Sequence, residues 1–378
     1  MRFITLLLLM VAATTMNAQT TNTEPIGEPE DKTPTVFYFD DEIYVNTLGF
    51  AKRSLIEEKI YFLENNEVLV REFLDYGGYM KGKIDKNSGT ITIENRQPVQ
   101  HIQFGQNAEK TTIYFACIDP ETKKPLSGNF VLEYKDKGNG EIIIDGSKLT
   151  YALYYGDAEA PTIYRYAHGI RMTDQTFLDN LTTSAVYEYT DNFYGEGYQQ
   201  TEAKCIQYGN KIYLKPLETL FSATWQQAYV SKDGQQFTLH IPTDQFLGHY
   251  SATESFVFKA GKLNKDAVEA TKNMTELVLP MTYDKANHTY KCVAADDEIL
   301  GAADYFTDNR GMQKEWGTMY EDISITIPEA TVANGIENLT VKDSQGTENH
   351  LYYDLQGRAY ANPVKGVYIY KGRKIVVK

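Results

Sequence analysis

The sequence lacks the motifs by which most enzyme classes are detected. The serine-hydrolase motif Gly-x-Ser-x-Gly, the zinc-protease motif His-Glu-x-x-His and a phosphate loop ending in Gly-Lys-Ser/Thr are all absent. The six histidines are scattered along the chain. A glycosidase would need two facing carboxylates, but with 51 acidic residues the sequence cannot single out a pair. We therefore predict no catalytic residue, no metal site and no cofactor.

Positive charge and cysteine are also scarce. Lys and Arg number 37 against 51 Asp and Glu, so the net charge is −14, which argues against nucleic acid as a partner. The three cysteines are Cys117, Cys205 and Cys292, and an odd count cannot form a complete disulfide framework. Buried, unreactive thiols are the favoured interpretation, and one disulfide with one free thiol is the alternative.

Long hydrophobic runs are missing except at the N-terminus. Arg2 precedes the apolar run Phe3–Ala13, and the small residue Ala18 stands before Gln19. This pattern predicts a signal peptide over residues 1–18, cleaved between Ala18 and Gln19. The run is too short for a transmembrane span, and no later stretch could form one. Residues 19–35 are polar and proline-containing, which predicts a disordered leader. We therefore expect the protein to be secreted or held at the cell surface.

Aromatic residues are abundant, with 29 Tyr and 17 Phe. Apolar and polar residues alternate from Val36 to Ile327, the period of half-buried strands, so the predicted fold class is all-β. Two segments, Ala51–Glu58 and Asp266–Lys272, are predicted as short helices.

An internal similarity organises the strands. Three segments of the first half resemble three segments of the second half, in the same order and at a nearly constant offset: Lys59–Arg71 with Ala203–Lys215, Ile84–Ile93 with Val230–Leu239, and Leu132–Ile142 with Pro280–Tyr290. Asn65-Asn66 and Gly209-Asn210 mark matching tight turns. We predict two tandem β-sandwich-like modules, residues 36–170 and 171–330, with the boundary near residues 157–179.

The C-terminal segment, residues 337–378, is a separate unit. From Leu351 onward it carries six basic residues and one acidic residue, and it predicts a small four-stranded β meander. The basic segment either faces a different environment from the acidic body or docks on that body.

The last residues resemble the C-terminal sorting segment of secreted proteins of Bacteroidetes. The matching residues are Tyr353, Asp354, Leu355, Gly357 and Arg358, then Gly366, Val367, Tyr368 and Ile369, then Lys374 and the apolar residues that follow it. The resemblance implies export and sorting machinery of the type IX pathway as partners and a location at or beyond the outer membrane surface.

The second module resembles a repeat found in uncharacterised secreted proteins of the same group. The matching residues are Ile212–Leu217, Trp225, Pro242, Gln245 and Gly248, and Tyr79 stands near the position of Trp225 in the first module. This resemblance implies no activity.

Two constellations could bind a ligand. Asp85-Lys-Asn-Ser-Gly89 begins like a calcium loop, but Arg96 stands where the final Glu should be, so a plain turn is favoured. Exposed rings among Tyr187, Tyr189, Phe193, Tyr194 and Tyr198, with Trp316, could stack on sugars, and the ligand-binding candidates are Tyr194, Tyr198 and Trp316. Trp225 is expected to be a core residue.

The sequence thus favours an exported, non-enzymatic protein that binds a glycan or a protein through loops of the β modules. An extracellular glycan hydrolase with an unidentified carboxylate pair is one alternative. A structural subunit of a surface assembly is another.

Overall fold

The computed structural model describes residues 24–46, 48–191, 193–250, 254–264, 269–308 and 311–332, and the backbone of four short strands between residues 352 and 377. The chain divides into two compact units, Met1–Ile336 and Glu337–Lys378. The proposed signal peptide and its cleavage position at Ala18 and Gln19 lie outside the described residues.

The first half of the larger unit contains ten strands. They are β1 (Thr35–Val45), β2 (Gly49–Phe62), β3 (Glu67–Arg71), β4 (Tyr79–Asp85), β5 (Thr90–Glu94), β6 (Gln97–Gln103), β7 (Lys110–Cys117), β8 (Asn129–Asp136), β9 (Ile142–Tyr155) and β10 (Thr162–Asp174). A single 3-10 turn, Glu64–Asn66, joins β2 to β3. Asn65 and Asn66 have φ of 56° and 60° there, the left-handed conformation that this residue pair tolerates.

The second half contains thirteen strands after one short helix. The helix α1 (Gln175–Asp179) begins at Asp174, whose carboxylate accepts a hydrogen bond from the Phe177 amide at 3.0 Å. The strands are β11 (Thr182–Asp191), β12 (Gly197–Tyr208), β13 (Lys211–Lys215), β14 (Gln226–Asp233), β15 (Gln236–Pro242), β16 (Gln245–His249), β17 (Glu254–Asn264), β18 (Glu269–Met274), β19 (Glu276–Asp284), β20 (Thr289–Val293), β21 (Glu298–Asp308), β22 (Gly311–Trp316) and β23 (Tyr320–Pro328).

Strand pairing in the first half closes on itself. Antiparallel pairs run without interruption from β1 through β2, β3, β4, β5, β8, β9 and β10, and β10 pairs again with β1. The hairpin of β6 and β7 is added through the pairing of β7 with β9. The all-β fold class is therefore confirmed, and this half is one closed eight-stranded sheet.

The second half closes in the same order of connections. Its pairs run from β11 through β12, β13, β14, β15, β19, β20 and β23, and β23 pairs with β11. Inserted strands again follow the fifth strand, where β16, β17 and β18 form a sheet that β21 and β22 extend. A β-sandwich would show two separate sheets in each half, so the structure does not show the two sandwiches expected from the sequence. Alternation by itself specifies buried faces and leaves open which strands pair.

In each half, a glutamine side chain makes the same three hydrogen bonds and joins two corresponding strands. In the first half the Gln97 amide accepts a hydrogen bond from the Lys81 amide at 2.8 Å and donates to the Lys81 and Glu94 carbonyls at 2.8 Å each. The amide thus acts as a short piece of strand that joins the start of β6 to β4.

Gln245 makes the same three contacts in the second half. Its side chain accepts from the Gln227 amide at 2.6 Å and donates to the Gln227 and Pro242 carbonyls at 2.8 and 2.7 Å. The residue before each glutamine, Arg96 or Asp244, has positive φ of 65° or 62°. The residues Pro242 and Gln245 of the second-module motif therefore form a structural bracket between β14 and β16.

The interior of the first closed sheet contains an ion pair. Asp41 shares the inner face of β1 with Phe37, Phe39 and Ile43, and both its side chain and that of Arg53 are fully buried. The guanidinium donates Nε to Asp41 at 2.7 Å and a second, short hydrogen bond from Nη2, and it lies 5.0 Å from the centre of the Phe39 ring.

Further hydrogen bonds complete this buried network. Arg53 also donates to the Phe73 carbonyl at 2.8 Å, and the Tyr151 hydroxyl donates a short hydrogen bond to Asp41. Burial raises the pKa of Asp41, and the facing guanidinium and hydroxyl oppose that rise. Burial lowers the pKa of Arg53, but the Asp41 carboxylate outweighs this and raises it above its ordinary value, so the guanidinium remains charged.

Three local expectations are corrected by the structure. Ala51–Glu58 is not a helix but lies within β2, and residues 269–272 of the second expected helix lie in β18, whereas 265–268 are outside the described residues. Residues 24–34 contact the first half instead of forming a disordered leader. Ile26 pairs with Tyr79, and Glu28 accepts hydrogen bonds from Lys59 and Tyr61 at 2.7 Å each. Pairing and burial with distant residues override the local composition in each case.

The smaller unit contains four strands, as its alternation predicts. They are β24 (Tyr352–Tyr353), β25 (Ala359–Tyr360), β26 (Gly366–Tyr370) and β27 (Arg373–Val377). Their order is β25–β24–β26–β27, so β24 lies in the interior of the sheet and the simple meander is wrong. Among the residues of the sorting resemblance, Tyr353, Gly366, Tyr368 and Lys374 lie on these strands, and Asp354, Leu355, Gly357 and Arg358 lie outside the described residues.

Breaking the buried ion pair from one side should be costly. We expect Asp41→Asn to lower the free energy of unfolding by about 3–5 kcal/mol, because Arg53 is left as an uncompensated buried charge. Urea unfolding followed by intrinsic fluorescence measures the change. The double variant Asp41→Leu/Arg53→Met should recover much of the loss. Glu67→Gln removes the exposed Lys81 pair at 2.8 Å and should cost less than about 1 kcal/mol. Equal urea midpoints for the Asp41→Asn variant and the wild type would contradict the conclusion that the buried ion pair stabilises the interior.

Candidate functional site

A β-bulge in β2 opens the surface between the two halves. Opposite Asp40 of β1 stand two residues of β2, Ser54 and Leu55, and Leu55 has a φ of 50°. The Asp40 carboxylate stabilises this bulge by accepting a hydrogen bond from the Leu55 amide at 3.1 Å. Bulges redirect side chains out of the regular pleat, and this one presents Ser54 and Leu55 to the second half.

The same aspartate also binds the second half. Asp40 accepts hydrogen bonds from the Lys211 ammonium at 2.8 Å and from the Tyr213 hydroxyl at 2.6 Å. The backbone amide of Lys52 donates to the Asp244 carbonyl at 3.0 Å. The Asp40 carboxylate therefore fixes the local shape of β2 and also joins β1 to β13.

Apolar packing crosses the same junction. Phe246 and Tyr305 of the second half belong to the core of the first half, and Tyr38 and Leu55 pack with Trp225 in a smaller cluster. The relative position of the two halves is thus set by buried surface as well as by charge.

A cleft of about 640 Å³ lies at this junction, within the size range of small-molecule and oligosaccharide sites. Both halves contribute walls. The lining residues are Tyr38, Arg53, Ser54, Leu55, Ile56, Glu57, Asp75 and Arg165 from the first half, and Lys215, Ala223, Thr224, Trp225, Phe246, Leu247, Gly248 and His249 from the second.

A second bulge places Arg165 in the cleft. In the pairing of β9 with β10, Ile163 lies opposite Tyr154 and Arg165 opposite Leu153, so Tyr164 is an extra residue. The Arg165 guanidinium lies over the Tyr76 ring at 5.1 Å and donates one long hydrogen bond, 3.4 Å, to the Leu74 carbonyl. Among the described residues no carboxylate lies within ion-pair distance of Arg165.

Lys215 is the corresponding cation on the opposite wall. Its ammonium lies 4.7 Å from the centre of the Trp225 ring. Partial burial lowers the pKa of Lys215, and the nearby Lys204 lowers it further. Within the described part of the chain it has no carboxylate at ion-pair distance.

Two neutral polar groups at the cleft have no hydrogen-bond partner. Ser54 is only 3% exposed and its Oγ is unpartnered. His249 bonds Ser255 through Nδ1 at 2.8 Å, but its Nε2 has no partner. Burial, together with the guanidinium groups of Arg165 and Arg53, lowers the pKa of His249 to about 3, so this imidazole is neutral at pH 7. Buried polar groups are nearly always satisfied, so these two are exceptions among the residues that line the cleft.

An aromatic ladder on the first half ends against Arg165, which lines the cleft. Tyr155 and Phe104 have ring centres 5.2 Å apart, Phe104 and Tyr164 are 6.2 Å apart, and Tyr164 and Tyr76 are 5.1 Å apart. Phe104 is 45% exposed and the three tyrosines are half-buried. The guanidinium of Arg165 covers the inner end of the ladder. We call these four rings the aromatic ladder.

Tyr194 and Trp316 are far apart in the sequence, but the structure brings Tyr194 into contact with the residue that follows Trp316. The Tyr194 hydroxyl, on a side chain that is 55% exposed, donates to the Gly317 carbonyl at 2.9 Å, and Trp316 is half-buried. Tyr198 is 63% exposed and donates to Glu188 at 2.7 Å. Hydrogen bonds from Ser324, Tyr198 and Lys291 lower the pKa of Glu188 to about 2. Tyr194 and Tyr198 lie in the β11–β12 hairpin and Trp316 lies at the end of β22, and none of the three lines the cleft.

Other aromatic and sulfur-containing residues of the sequence prediction are interior. Tyr187 and Tyr189 are buried and stacked at 4.7 Å, so they cannot stack on a ligand. Trp225 is 5% exposed, which confirms its assignment to the core. The three cysteines are buried and unpaired, and burial raises the pKa of each thiol to about 12, so the unreactive-thiol interpretation agrees with the structure.

Two carboxyl groups with raised pKa, those of Glu72 and Glu218, accept hydrogen bonds from backbone amides. Burial raises the pKa of Glu72, which accepts hydrogen bonds from the amides of Leu74 at 2.7 Å and Gly77 at 3.0 Å, and of Glu218, which accepts from the Phe221 amide at 2.8 Å. Neither residue lines the cleft. The acids that do line it are Glu57 and Asp75, and Asp75 lies 3.5 Å from Arg53.

The segment that resembles a calcium loop is a turn. The Asp85 carboxylate accepts hydrogen bonds from the amides of Asn87 at 2.9 Å and Ser88 at 3.3 Å, which lower its pKa. In the described part of the chain, no group of three or more His, Cys, Asp or Glu side chains is arranged to hold a metal ion. The signal for a turn was already present in the sequence, because Arg96 occupies the position of the bidentate Glu.

No protein-family model, no curated protein and no solved structure matches this chain. Among the described residues, no helix has the length and apolar character needed to cross a membrane.

Calcium should leave the stability of the protein unchanged. Because the Asp85 carboxylate already bonds two backbone amides, we expect the same melting temperature in excess calcium and in excess EDTA. Differential scanning calorimetry measures this directly. A clear upward shift in calcium that disappears in Asp85→Asn would show that the loop binds the ion.

Proposed function

We propose that this chain is an exported, non-enzymatic protein of the cell surface or the extracellular space, and that it binds a glycan in the cleft between its two halves. The observation that carries the proposal is the aromatic ladder, whose inner rings Tyr76 and Tyr164 lie against Arg165, a residue that lines the 640 Å³ cleft. Half-exposed rings offer apolar faces to sugar rings, and nearby polar groups bond their hydroxyls.

The polar groups of the cleft suit a ligand rich in hydroxyl groups. Ser54 Oγ and His249 Nε2 are unpartnered, and they are buried where a bound molecule would exclude water. A ligand that satisfied them would remove the cost of leaving polar groups unbonded in the interior. A purely apolar ligand would leave that cost in place.

Binding is favoured over hydrolysis by the positions of the acids. Among the described residues, burial raises the pKa of the carboxyls of Asp41, Glu58, Glu72 and Glu218, and none of these four lines the cleft. Asp75 at the cleft is drawn toward Arg53 at 3.5 Å. A retaining or inverting glycosidase needs an acid and a base that face the same bond.

Export rests on the sequence patterns of both ends. The N-terminal pattern of charge, apolar run and small residue supports a signal peptide, and the resemblance of the last residues to a type IX sorting segment supports passage to the surface. We also propose that the two halves are copies of one unit. The identical order of pairing in the two closed sheets and the matching side-chain brackets of Gln97 and Gln245 support this.

Removing rings of the ladder should weaken glycan binding. We expect Phe104→Ala and Tyr164→Ala each to lower the affinity for a glycan selected on an array by about three- to tenfold, because each removes one stacking face. Isothermal titration calorimetry with the selected oligosaccharide measures the loss. Tyr283→Ala, which removes a partly exposed ring from β19, is the matched control and should bind as the wild type does.

Two results would contradict the proposal. A loss of binding in Tyr198→Ala but not in Tyr164→Ala would move the site to the β11–β12 hairpin. Release of new reducing ends from the bound glycan would make the protein a hydrolase.

Deleting residues 351–378 should prevent surface delivery. We expect the truncated chain to accumulate inside the cell envelope when expressed in a bacterium with a type IX pathway. Surface proteolysis and fractionation of whole cells measure the distribution. Replacing only Lys365 and Lys371 by Gln, which lowers the charge of the segment but leaves the matching residues in place, is the control. Surface display of the truncated chain at the wild-type level would refute the sorting role.

A further inference from the structure

We infer that the ligand of the cleft is an acidic glycan, one that carries carboxylate or sulfate groups. The inference rests on the proposed function and specifies the chemistry of its ligand. Its basis is the charge of the cleft walls, which differs from that of the rest of the chain.

The net charge of the chain is −14, and several lysines are paired: Lys59, Lys211 and Lys262 lie within 2.7–2.8 Å of carboxylate oxygens. Other half-buried cations of the described residues, such as Lys52 and Lys123, have no carboxylate within ion-pair distance. What distinguishes an unpaired cation is therefore its position, and a ligand can reach one that lines a cleft.

The cleft has two cations of this kind, one from each half. Arg165 of β10 is covered by tyrosine rings and bonds one backbone carbonyl, and Lys215 of β13 lies over Trp225. Neither has a carboxylate within ion-pair distance among the described residues. A ring face stabilises a cation but leaves its hydrogen-bond donors free, so both side chains can still donate to an anion.

The acids of the cleft do not fill this role. Asp75 is held near Arg53, and Glu57 is an exposed residue that accepts a long hydrogen bond from Gln175 at 3.4 Å. Arg53 itself is neutralised by Asp41. Arg165 and Lys215 are the cleft cations with no ion pair among the described residues, Glu57 and Asp75 contribute two negative charges to the same lining, and the neutral polar groups Ser54 and His249 lie in the same cleft.

The alignment of these cations with the aromatic ladder specifies the kind of acid. Arg165 lies at the inner end of the ladder, over Tyr76 and Tyr164. A glycan that stacks along the ladder would place the substituents of its inner sugar against the guanidinium. Planar carboxylate and tetrahedral sulfate groups both accept two hydrogen bonds from arginine, so the chemistry is shared by uronic acids and sulfated sugars.

The experiment compares acidic glycans with neutral forms of the same backbone. The probes are oligogalacturonate with its methyl ester, hyaluronan oligosaccharide with its carboxyl-reduced form, and a sulfated galactan oligosaccharide with its desulfated form. We expect at least one acidic probe to bind, its neutral form to bind at least about tenfold more weakly, and the affinity to fall as salt is raised.

Charge-matched variants assign the effect to the cleft. Arg165→Gln and Lys215→Gln should each weaken the binding of the acidic probe by about tenfold and leave its neutral form unchanged, and Arg165→Lys should retain part of the preference. Lys83→Gln, which removes an exposed cation from β4, is the control for net charge. Thermal melting of each variant establishes that the fold is intact.

The possible outcomes distinguish the acidic-glycan inference from the glycan-binding function on which it rests. Equal binding of acidic and neutral forms, or full affinity in both Gln variants, would overturn the acidic-glycan inference and leave a neutral-glycan binding protein. Failure of every probe, acidic and neutral, would overturn the inference together with the glycan-binding function.

Discussion

Two adjacent aspartates, Asp40 and Asp41, stabilise the structure from opposite faces of β1. Because successive residues of a strand point to opposite faces, Asp41 enters the closed sheet and binds Arg53, and Asp40 faces outward to β2 and the second half. The inner carboxylate neutralises the only guanidinium that the described interior of the first sheet contains. The outer carboxylate fixes the bulge at Leu55. Interior, junction and cleft thus depend on one dipeptide in the middle of a mostly apolar strand.

The cleft follows from departures from regular pairing. In a regular pleat, Ser54 and Tyr164 would each take an ordinary place opposite a neighbouring strand, and the surface between the halves would be flatter. The two bulges instead present Leu55 and Arg165 at that surface. Trp225, though buried, contributes by supporting the ammonium of Lys215. The site therefore arises from the two β-bulges. The other residues of the same strands form an ordinary hydrophobic core.

Sequence reasoning succeeded where the cause is local and failed where it is not. The positive φ of Asn65 and Asn66 follows from their chemistry, and the burial of Trp225 follows from its size, so both could be predicted. Ala51–Glu58 has a helix-like composition, but pairing with β1 makes it a strand. The cleft cations could not be found, because a lysine or arginine in a sequence carries no sign of whether an acid from another strand lies beside it. The pair Asp40-Asp41 was a signal that could have been used, since two acids rarely interrupt a core strand without partners.

The division of the cleft walls between the two halves has a thermodynamic consequence. Arg165 stands on one half and Lys215 on the other, so neither half alone possesses the site. A molecule held between them acts as an additional bond across the junction, and its binding energy adds to the free energy that keeps the halves docked. By linkage, a change that stabilises the docking of the two halves also raises the affinity for a molecule bound in the cleft, and a force that pulled the halves apart would release that molecule.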